Sequence, residues 1–570
     1  MNNSNWHIED FDLKLVKQIA KEFSLPQSIA KIMSLRGVVD RNISSNFFYP
    51  NKQKLHDPYL LKDMDKAVDA LIKHIDEKKK IMIYGDYDVD GVSSTSMLYN
   101  FFKSIEVDVS YYIPHRDIDG YGLSNRGIDF AKSIGASLII TCDCGINAFS
   151  QIEYAKNVGI NVIVTDHHKP EERIPQCLAV VNPNRRDCSY PFKGLCGAGV
   201  AFKLAIAVSD KLSIDLEKVW SYADLVTLGI AADIVPMIDE NRIISHFGLQ
   251  QIRQGDNLGI RLLIESSKIN IEKIGIGQIT FWVTPKINAA GRLGDAARAV
   301  KLLTTNNPIK AGEISNDLNK ENEKRKLITI NMENESLSMV DNNSDYHDKH
   351  SIVLYKENWH AGVIGIVASR IKETYNKPTI IIGINDSLGK GSCRSIPQLD
   401  MVQALDYCKS VLDGYGGHPM AAGLTIDEKN LDEFSMLFEE YCKFNLTQDD
   451  FIPTIKIDSE VMLSDINERM INFLKYLEPY GPKNSKPKFI SREVKVDGIP
   501  KVIGKDQSTV KFKVKQNKSI YDAIGFRMID DYEKLISGKP IDIVYNVSEN
   551  HWNGKTSLQL DIKAIKYSYE

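Results

Sequence analysis

The stretch KKKIMIYGDYDVDGVSSTSMLYNFF, residues 78–102, decides how the chain folds. Its apolar run, residues 81–84, lies between charged residues and a glycine, which predicts a buried strand. Three carboxylates follow at alternate positions, and a helical run comes next: Asp86, Asp88 and Asp90. Ligands of open α/β sheets lie outside the carboxyl ends of the strands. We therefore expect these three acids at such an edge.

Three crowded carboxylates repel one another and cannot all stay ionised without a partner. A divalent cation is the simplest partner, because Mg²⁺ and Mn²⁺ prefer carboxylate oxygens. The alternative is a polar turn whose acids cap the following helix. Taken alone, the stretch favours neither interpretation, so the rest of the chain has to decide between them.

Length and composition limit the possible classes of protein. The 570 residues are too many for one core and predict roughly three to five domains. No apolar run reaches the roughly 20 residues of a membrane span, and we expect no signal peptide. The net charge of -4 argues against a passive nucleic-acid coat but allows a local basic groove. Eight dispersed cysteines without a C-x-x-C motif predict a reducing, cytoplasmic location.

Strands and helices alternate after the first stretch, which predicts a parallel, doubly wound sheet. The next predicted strands cover residues 107–114, 137–145 and 161–168. Asp143 ends one of them, and the triplet Asp166, His167 and His168 ends another. Since a doubly wound sheet brings the carboxyl ends of its strands to one edge, we expect all these side chains beside the first three acids.

The two adjacent histidines can be interpreted in two ways. Neighbouring residues of a strand point to opposite faces, so His167 and His168 can face one site only at a strand end or in a turn. An isolated pair of this kind is most often a surface pair. Here the pair follows a buried apolar run and shares an edge with four acids, which favours a site.

Two further segments could contribute to this site. The glycine-rich turn that opens residues 194–208 is weak evidence for phosphate binding. The apolar helix in residues 222–242 carries Asp224 and Asp233. Aspartate in apolar surroundings is costly unless it is paired or binds a metal. Asp224 could supply a further ligand, whereas Asp233 could equally cap the helix or support the ligands.

These motifs carry a resemblance to a known family. GDYDVDG, DCG, DHH and DLVTLGIAADIVP resemble the four successive motifs of the DHH phosphoesterase superfamily. Four later motifs resemble the RecJ family of bacterial single-strand-specific exonucleases: TPKINAAGRLGDA (284–296), NWHAGVIGIVASRI (358–371), GSCRS (391–395) and GGHPMAAG (416–423). All of them follow in family order over nearly the whole chain.

Pattern and resemblance together give an α/β fold of several parts. Charge-rich residues without proline or glycine after residue 312 predict a long exposed helix. Short alternating strands with lysines and aromatics after residue 450 suit an OB-fold for single strands, although each lysine could equally be a solvated surface residue. We expect an N-terminal helical segment (1–45), a DHH domain with a doubly wound parallel sheet (46–305), a connecting helix (306–345), a smaller α/β DHHA1-type domain (346–445) and an OB-fold β-barrel (450–570).

The resemblance also implies the site residues. The ligands of two Mn²⁺ or Mg²⁺ ions would be Asp88, Asp90, Asp143, His167 and Asp224. The further catalytic residues would be Asp86 and Asp166, which support the ligands, and His168, which contacts the scissile phosphate. The residues that hold the DNA would be Arg116, Lys286, Asn288, Arg292, His360, Arg370, Ser392, Arg394 and His418.

The implied activity is metal-dependent 5′-to-3′ hydrolysis of single-stranded DNA to mononucleotides, in DNA repair and recombination. A single-strand-binding protein and a helicase are the expected partners of a monomer that makes no membrane contact. Two alternatives stay open: a DHH phosphodiesterase for cyclic dinucleotides, short oligonucleotides or pyrophosphate, and a non-catalytic scaffold. The basic C-terminal barrel argues against the first alternative, and the complete ligand set argues against the second.

Three residues depart from the family pattern. Tyr84 stands where many DHH enzymes have a histidine ligand, and Cys393 lies in a predicted turn that is often built with glycine. Lys286 stands where many RecJ relatives have arginine, so a point charge replaces a two-pronged donor. We expect Ser392 and Arg394 of that turn to hold the terminal 5′ phosphate, together with Lys286.

Overall fold

The computed structural model describes residues 4–116, 118–504, 506–552 and 555–569. The chain forms two compact units that alternate along the sequence. The larger unit comprises Phe11–Asn322 and Asn467–Lys486. The smaller unit comprises the N-terminal residues up to Asp10, Glu323–Ile466 and the chain from Pro487 onward.

The N-terminal segment contains helices, as its sequence predicts, and one strand in addition. It contains the strand β1 (Asn5–Ile8), and the helices Leu13–Phe23, Gln27–Leu35 and Arg41–Phe48 follow. Four residues are too short a run to show the two-residue period of a strand, so the sequence pattern does not predict this one.

A five-stranded sheet forms the centre of the larger unit. Its strands are β2 (Ile81–Gly85), β3 (Val109–Tyr112), β4 (Leu138–Cys142), β5 (Asn161–Thr165) and β6 (Ala179–Val181). All neighbours pair in parallel in the order β3-β2-β4-β5-β6. The order reverses between β2 and β4, which is where doubly wound sheets bind their ligands. The predicted doubly wound parallel sheet is confirmed.

Helices cover both faces of this sheet. Successive side chains of β2 belong to two separate cores, with Ile81 and Ile83 in one and Met82 and Tyr84 in the other. Burial on both faces explains why the central strands β2 and β4 are mostly apolar. The further helices of the unit are Met64–Asp76, Val89–Ser104, Asn125–Ser133, Phe149–Asn157, Gly197–Lys211, Glu217–Trp220, Ala223–Ala232, Asp239–Gln254, Leu258–Glu265, Ile276–Gln278, Thr284–Leu293, Ala297–Thr304 and Glu468–Tyr476.

The long connecting helix spans Pro308–Asp341, as its charge-rich sequence predicts. Its residues up to Asn322 belong to the larger unit, and the rest belong to the smaller unit. The helix is not solvated all round, because Leu318 packs in the core of the larger unit and Met332 in that of the smaller.

The smaller unit begins with a second five-stranded sheet. Its strands are β7 (Ile352–Glu357), β8 (Thr379–Asn385), β9 (Leu388–Arg394), β10 (Gly414–His418) and β11 (Ala421–Asp427). They lie in the order β10-β11-β9-β8-β7, and β7 and β8 are the parallel pair. The helices of this part are Asp345–Asp348, Ile364–Tyr375, Met401–Tyr407 and Leu431–Asn445.

The GSCRS motif is part of strand β9 and not a turn, so that prediction is wrong. Cys393 is buried in the core, and its neighbours Ser392 and Arg394 point to the other face of the strand. Side chains of Leu424 and Ile382 lie over Gly391 and leave no room for a β-carbon. The glycine therefore marks tight packing between strands. The GGHPMAAG motif forms the β10–β11 hairpin.

The C-terminal part of the smaller unit is a barrel. The strand β12 (Thr454–Ile457) precedes it and belongs to a separate two-stranded sheet. The strands of the barrel sheet are β13 (Ser459–Glu460), β14 (Phe489–Val496), β15 (Lys501–Ile503), β16 (Thr509–Gln516), β17 (Ser519–Gly525), β18 (Ile541–Trp552) and β19 (Lys555–Tyr567), and the helix is Tyr532–Ile536. Five of them close a ring in the order β14-β18-β19-β17-β16, since β14 also pairs with β16. The predicted five-stranded barrel is confirmed. Strand β1 pairs in parallel with β12.

Among the helices of the described residues, none combines the length and the hydrophobicity that a bilayer-spanning segment requires.

Arg242 holds the segment Asn467–Lys486, which comes late in the sequence, against earlier residues of the larger unit. The buried Arg242 guanidinium also packs 3.9 Å from the centre of the Phe47 ring. Its N–H groups donate five hydrogen bonds of 2.8–3.2 Å to the backbone carbonyls of Phe47, Tyr476, Leu477, Glu478 and Pro479.

Replacing Arg242 by methionine should destabilise the larger unit strongly. The substitution keeps much of the side-chain volume but leaves five carbonyls without their charged donor, so we expect a loss of about 3–5 kcal/mol in the free energy of unfolding. Urea denaturation followed by circular dichroism measures it. The matched control is Arg261→Met, because the Arg261 side chain is 44% exposed and lies 3.9 Å from Glu265. Its loss should stay below about 1 kcal/mol, and equal losses would contradict the role of Arg242.

Candidate metal centre

Seven side chains converge beyond the carboxyl ends of β2, β4 and β5. We call them the acidic cluster: Asp86, Asp88, Asp90, Asp143, His167, His168 and Asp233. They form three groups of three, and within each group the potential ligand atoms lie within 4.8 Å of one another. The groups share Asp143 and His167, so they make one continuous site at the point where the strand order reverses.

His167 lies in the middle of the acidic cluster. Its Nε2 atom is 3.0 Å from Asp143 Oδ1, 3.7 Å from Asp233 Oδ2 and 3.8 Å from Asp90 Oδ2. One imidazole nitrogen thus faces three carboxylates. Carboxylate oxygens with an imidazole nitrogen are the donor set that suits Mn²⁺ and Mg²⁺.

The helix Gly197–Lys211 holds Asp90 with its N-terminus. The backbone N–H groups of Gly197 and Ala198 donate to the two Asp90 carboxylate oxygens at 2.6 and 2.9 Å. A β-carbon on Gly197 would lie 2.5 Å from the β-carbon of Asp143. Only glycine at position 197 therefore lets the helix come this close to Asp143. The glycine-rich turn binds a carboxylate of the protein itself, that of Asp90, and not a phosphate.

Burial and crowding make the carboxylates hard to ionise. Burial is the largest cause that raises the pKa of Asp86, Asp90 and Asp143, and repulsion by neighbouring carboxylates adds to it. Burial and the Asp90 charge likewise raise the pKa of Asp233 to about 8. Asp86 Oδ1 is buried and accepts no hydrogen bond from the described residues. A bound cation would resolve both the repulsion and the missing partner.

The backbone at Asp143 is a second sign of a functional site. Its φ of 62° lies in the left-handed region, which a residue other than glycine adopts at a cost. The conformation places the side chain directly after β4 and into the acidic cluster.

Asp166 orients His168. Its carboxylate accepts hydrogen bonds from the backbone N–H groups of Ile146, His167 and His168 and lies 2.7 Å from His168 Nδ1. Burial alone would raise the pKa of Asp166, but these donors hold it below its usual range. Burial likewise opposes the charge of His168, yet the bond to Asp166 raises the pKa of His168 to about 9. The Nε2 atom of His168 faces the Tyr121 hydroxyl at 3.2 Å.

The structure does not bring Asp224 to the acidic cluster, which corrects its expected place among the ligands. Asp224 lies in the first turn of the helix Ala223–Ala232, and its carboxylate accepts from the N–H of Leu225. Asp233 follows the last turn, about 13 Å further along the helix axis. One helix can present only one of its two ends to the site, so Asp233 replaces Asp224 as the candidate ligand.

Two departures from the family pattern lie away from the cluster. Lys286, expected to reach DNA, is only 3% exposed, and its Nζ atom donates to the Leu263 carbonyl at 3.1 Å and to Ser266 Oγ at 2.6 Å. That expectation is therefore wrong, and Lys286 is a structural donor. Tyr84 points into the opposite core, where its hydroxyl donates to the Gly122 carbonyl at 2.9 Å.

The other expected DNA-binding residues of the larger unit lie near the acidic cluster. The Arg116 guanidinium is 5.8 Å from the Tyr87 ring, next to Asp88. Burial and Asp86 raise the pKa of Tyr87 to about 12, and the charges of Arg116 and Arg292 oppose that rise. Asn288 is half-buried on the same helix as Arg292.

In the smaller unit, the Arg394 guanidinium donates hydrogen bonds to the hydroxyls of two serines. Its Nε atom donates to Ser369 Oγ at 2.9 Å, and its Nη1 atom donates to Ser392 Oγ at 3.0 Å. Arg370, next to Ser369, pairs with Glu333. His360 and His418 are exposed, and His360 Nδ1 accepts from the N–H of Gly362.

The sequence pattern gave little indication of two of these residues. Ser369 shows no signal beyond its place beside an arginine in the NWHAGVIGIVASRI motif. Asp233 is recognisable as the residue that ends a helix before IVP, but a helix cap carries the same pattern.

The affinity for Mn²⁺ distinguishes the roles of Asp224 and Asp233, which lie at the two ends of the Ala223–Ala232 helix. Asp233→Asn removes a carboxylate that faces His167, so we expect the affinity for Mn²⁺ to fall by about tenfold or more. Asp224→Asn should leave it within about twofold, since Asp224 lies outside the cluster. Titration calorimetry of Mn²⁺ into metal-free protein measures both, with circular dichroism to check folding. A larger loss in Asp224→Asn would reverse the assignment.

Three family models match the chain. They are the DHH family N-terminal domain over residues 80–230, the DHHA1 domain over residues 348–443 and the RecJ OB domain over residues 457–564. The matches cover the parallel sheet, the mixed sheet and the barrel in turn.

Curated proteins and solved structures agree with these matches. The chain is 35% identical to the single-stranded-DNA-specific exonuclease RecJ of Bacillus subtilis, over 98% of this chain and 70% of that protein. It is 33% identical to the protein of the same name from Haemophilus influenzae, over 97% and 99%. Its structure is similar to the crystal structure of RecJ from Thermus thermophilus in complex with Mn²⁺, with a TM-score of 0.84, 26% identity and coverage of 99% and 79%.

Proposed function

Because the chain belongs to the RecJ family, we propose that it is a metal-dependent exonuclease that hydrolyses single-stranded DNA to mononucleotides from the 5′ end. The observation that carries this proposal is the acidic cluster, where buried carboxylates and an imidazole nitrogen converge at the switch point of the sheet. Such a donor set has no structural use that would offset its repulsion without a cation.

We assign two groups of ligands to two Mn²⁺ or Mg²⁺ ions. Asp88 and Asp143 would hold one together with Asp86, which the sequence placed only as a support of the ligands. Asp90, His167 and Asp233 would hold the other. Bound there, the ions would act as Lewis acids on the phosphate and lower the pKa of a water nucleophile. The imidazole favours Mn²⁺ over Mg²⁺. Relatives of this chain have been crystallised with each of the two ions.

The chain's own cationic groups would bind the phosphates around the cut. His168, held by Asp166 at 2.7 Å, would donate to the scissile phosphate. Arg116 and Arg292 approach Tyr87 in the loop between Asp86 and Asp88, so they would hold the neighbouring phosphates. Asn288 lies on the same helix and would add a neutral donor.

Ser392 and Arg394 are the proposed site for the terminal 5′ phosphate, with Arg370, His360 and His418 as further contacts. The bonds to Ser369 and Ser392 fix the Arg394 guanidinium, and its Nη2 atom makes no hydrogen bond with the described residues. A fixed guanidinium with an available N–H suits a phosphate oxygen. A terminal phosphate carries more negative charge than an internal diester, so a cationic group there selects it.

The barrel would extend the binding track for long strands. Along β16 the side chains of Lys511, Lys513 and Lys515 are exposed, and the residues between them are buried. A row of exposed lysines on a small barrel suits the backbone of a single strand. An enzyme for cyclic dinucleotides or pyrophosphate would not need such a track.

Domains, location and partners complete the proposal. We assign residues 1–45, 46–305, 306–345, 346–445 and 450–570 to the N-terminal segment, DHH domain, connecting helix, DHHA1-type domain and OB-fold. We propose a cytoplasmic monomer that works in DNA repair and recombination with a single-strand-binding protein and a helicase. All eight cysteines are free, which suits a reducing compartment.

Nuclease assays with Asp143→Asn test the proposed activity. With Mn²⁺, the unaltered protein should degrade end-labelled single strands from the 5′ end to mononucleotides and act far more slowly on duplexes and dinucleotides. Chelator or Asp143→Asn should lower the rate by a factor of about 10³ or more, because both ligand sites adjoin Asp143. Asp224→Asn is the matched control and should retain activity.

Undiminished hydrolysis by Asp143→Asn would refute the metal assignment. Faster hydrolysis of dinucleotides than of long strands would instead support the phosphodiesterase alternative. Release of label from the 3′ end first would overturn the polarity.

A comparison of 5′ ends tests Arg394. We expect Arg394→Ala to reduce the preference for 5′-phosphorylated over 5′-hydroxyl strands by about tenfold, since one charge-assisted bond to the phosphate is lost. Initial rates on matched oligonucleotides measure the ratio. Lys390→Ala is the control, because Lys390 is an exposed cation on the same face of β9. An Arg394→Ala protein slowed equally on both strands would place this arginine elsewhere along the DNA.

A further inference from the structure

Two adjacent aromatic side chains of the larger unit point into solvent. Phe281 is 73% exposed and Trp282 is 55% exposed. Single exposed apolar residues are common, but two large exposed rings in succession are less so and indicate a binding role. Neither ring takes part in the proposed hydrolysis.

The backbone that carries the two rings is a π-helical turn, Ile279–Val283. Its first and last side chains, Ile279 and Val283, are buried in the core, so the turn is anchored at both ends and its middle is pushed outward. Turns of this kind are rare and frequently occur at functional sites. The anchored ends present the rings in a defined position.

The turn is connected to the acidic cluster on one side through Thr280. The Thr280 hydroxyl donates to the Ala231 carbonyl at 2.9 Å. Ala231 lies in the last turn of the helix that presents Asp233 to the cluster, two residues before it. The aromatic pair therefore follows directly after a residue that contacts the ligand-bearing helix.

A second connection runs along the helix Thr284–Leu293, which continues from the π-helical turn. At its far end a β-carbon on Gly291 would lie 2.5 Å from the Tyr87 carbonyl, so the helix packs directly on the loop that carries Asp88. Pro285, Asn288 and Arg292 are spaced by three and four residues and partly exposed, so they share one face of this helix.

This face leads from the aromatic pair to the acidic cluster. Ten helical residues span about 15 Å, which is at most about four nucleotides of a single strand at 3.4 Å or more each. A strand whose scissile phosphate lies at the cluster can thus reach the rings within its first few nucleotides.

We propose that Phe281 and Trp282 form a stacking platform for the bases of the single strand, about two to four nucleotides from the scissile phosphate. Every base has an aromatic face, so stacking holds a strand of any sequence, as an exonuclease requires. The occupant is DNA and not a protein partner, because the surface continues through an amide and a guanidinium into the site of hydrolysis. The inference rests on the proposed function, which supplies single-stranded DNA as the ligand.

Binding in chelator tests the platform without hydrolysis. Fluorescence anisotropy with a labelled 12-nucleotide strand should show roughly tenfold weaker binding for Phe281→Leu and for Trp282→Leu. Trp282→Phe keeps a flat ring and should stay within about threefold of the unaltered protein. The slope of log K against log salt should not change, because no phosphate contact is removed. Phe444→Leu, at a residue 89% exposed in the smaller unit, is the control and should bind normally.

A scan with single abasic sites locates the contact. In the unaltered protein, an abasic site at one or two of positions 3–5 from the 5′ end should weaken binding about as much as Trp282→Leu does. In Trp282→Leu the same abasic site should cost little more, since the stacking partner is already gone. A flat scan, or leucine variants that bind like the unaltered protein, would overturn the platform.

The two proposals fail in different ways. A protein that shows the position-dependent abasic effect in chelator but cuts no strand with Mn²⁺ would keep the platform and lose the exonuclease. A protein that cuts single strands and is indifferent to both leucine variants would keep the exonuclease and lose the platform.

Discussion

Repulsion among carboxylates at the reversal point of the parallel sheet is the constraint on which the larger unit depends. The protein offsets this repulsion unequally. Asp90 receives two backbone N–H groups at a helix N-terminus, and Asp166 receives three backbone N–H groups. Asp86 Oδ1 receives no donor from the described residues. Backbone donors thus orient Asp90 and Asp166, whereas Asp86 keeps a carboxylate oxygen available for a cation.

The same elements serve both the acids and the surroundings of the site. The helix Ala223–Ala232 ends at Asp233, and its Ala231 carbonyl holds the turn that carries Phe281 and Trp282. The helix Thr284–Leu293 packs on the loop between Asp86 and Asp88. In the proposed enzyme, these two helices would therefore position both the acidic cluster and the surface for the following bases.

Features with a strong local signal were predictable from the sequence, and features that depend on packing were not. The acids at the ends of β2 and β4 follow apolar runs of strand length, so both the sheet and the edge were predicted correctly. A helix that carries an aspartate near each end, Asp224 and Asp233, gives no indication of which end faces the site. The direction of the helix decides that, and it is a tertiary property.

The wrong predictions for Lys286 and for GSCRS have the same cause. Each motif suggests a role by its residue types, which do not show whether the residues are buried. Lys286 lies in a motif that suggests phosphate binding, but the carbonyl of Leu263 and the hydroxyl of Ser266 hold its ammonium group inside the protein. The glycine of GSCRS suggested a turn, but it accommodates the side chains of Leu424 and Ile382 within a strand. Residue type alone cannot distinguish an exposed cation from a buried one, or a glycine that bends the chain from one that lets strands pack closely.

The five hydrogen bonds of Arg242 also determine when the larger unit can finish folding. Its acceptors include Tyr476 through Pro479, which the ribosome makes long after the rest of the unit. At about 5–20 residues per second, synthesis takes roughly 7–30 s to pass from Asn322 to Asn467. During that interval the Arg242 guanidinium has the Phe47 carbonyl but lacks its four later acceptors. A truncation of the gene from its 3′ end that removes these residues would therefore leave Arg242 without four of its acceptors. It would destabilise the unit with the acidic cluster as well as remove the barrel.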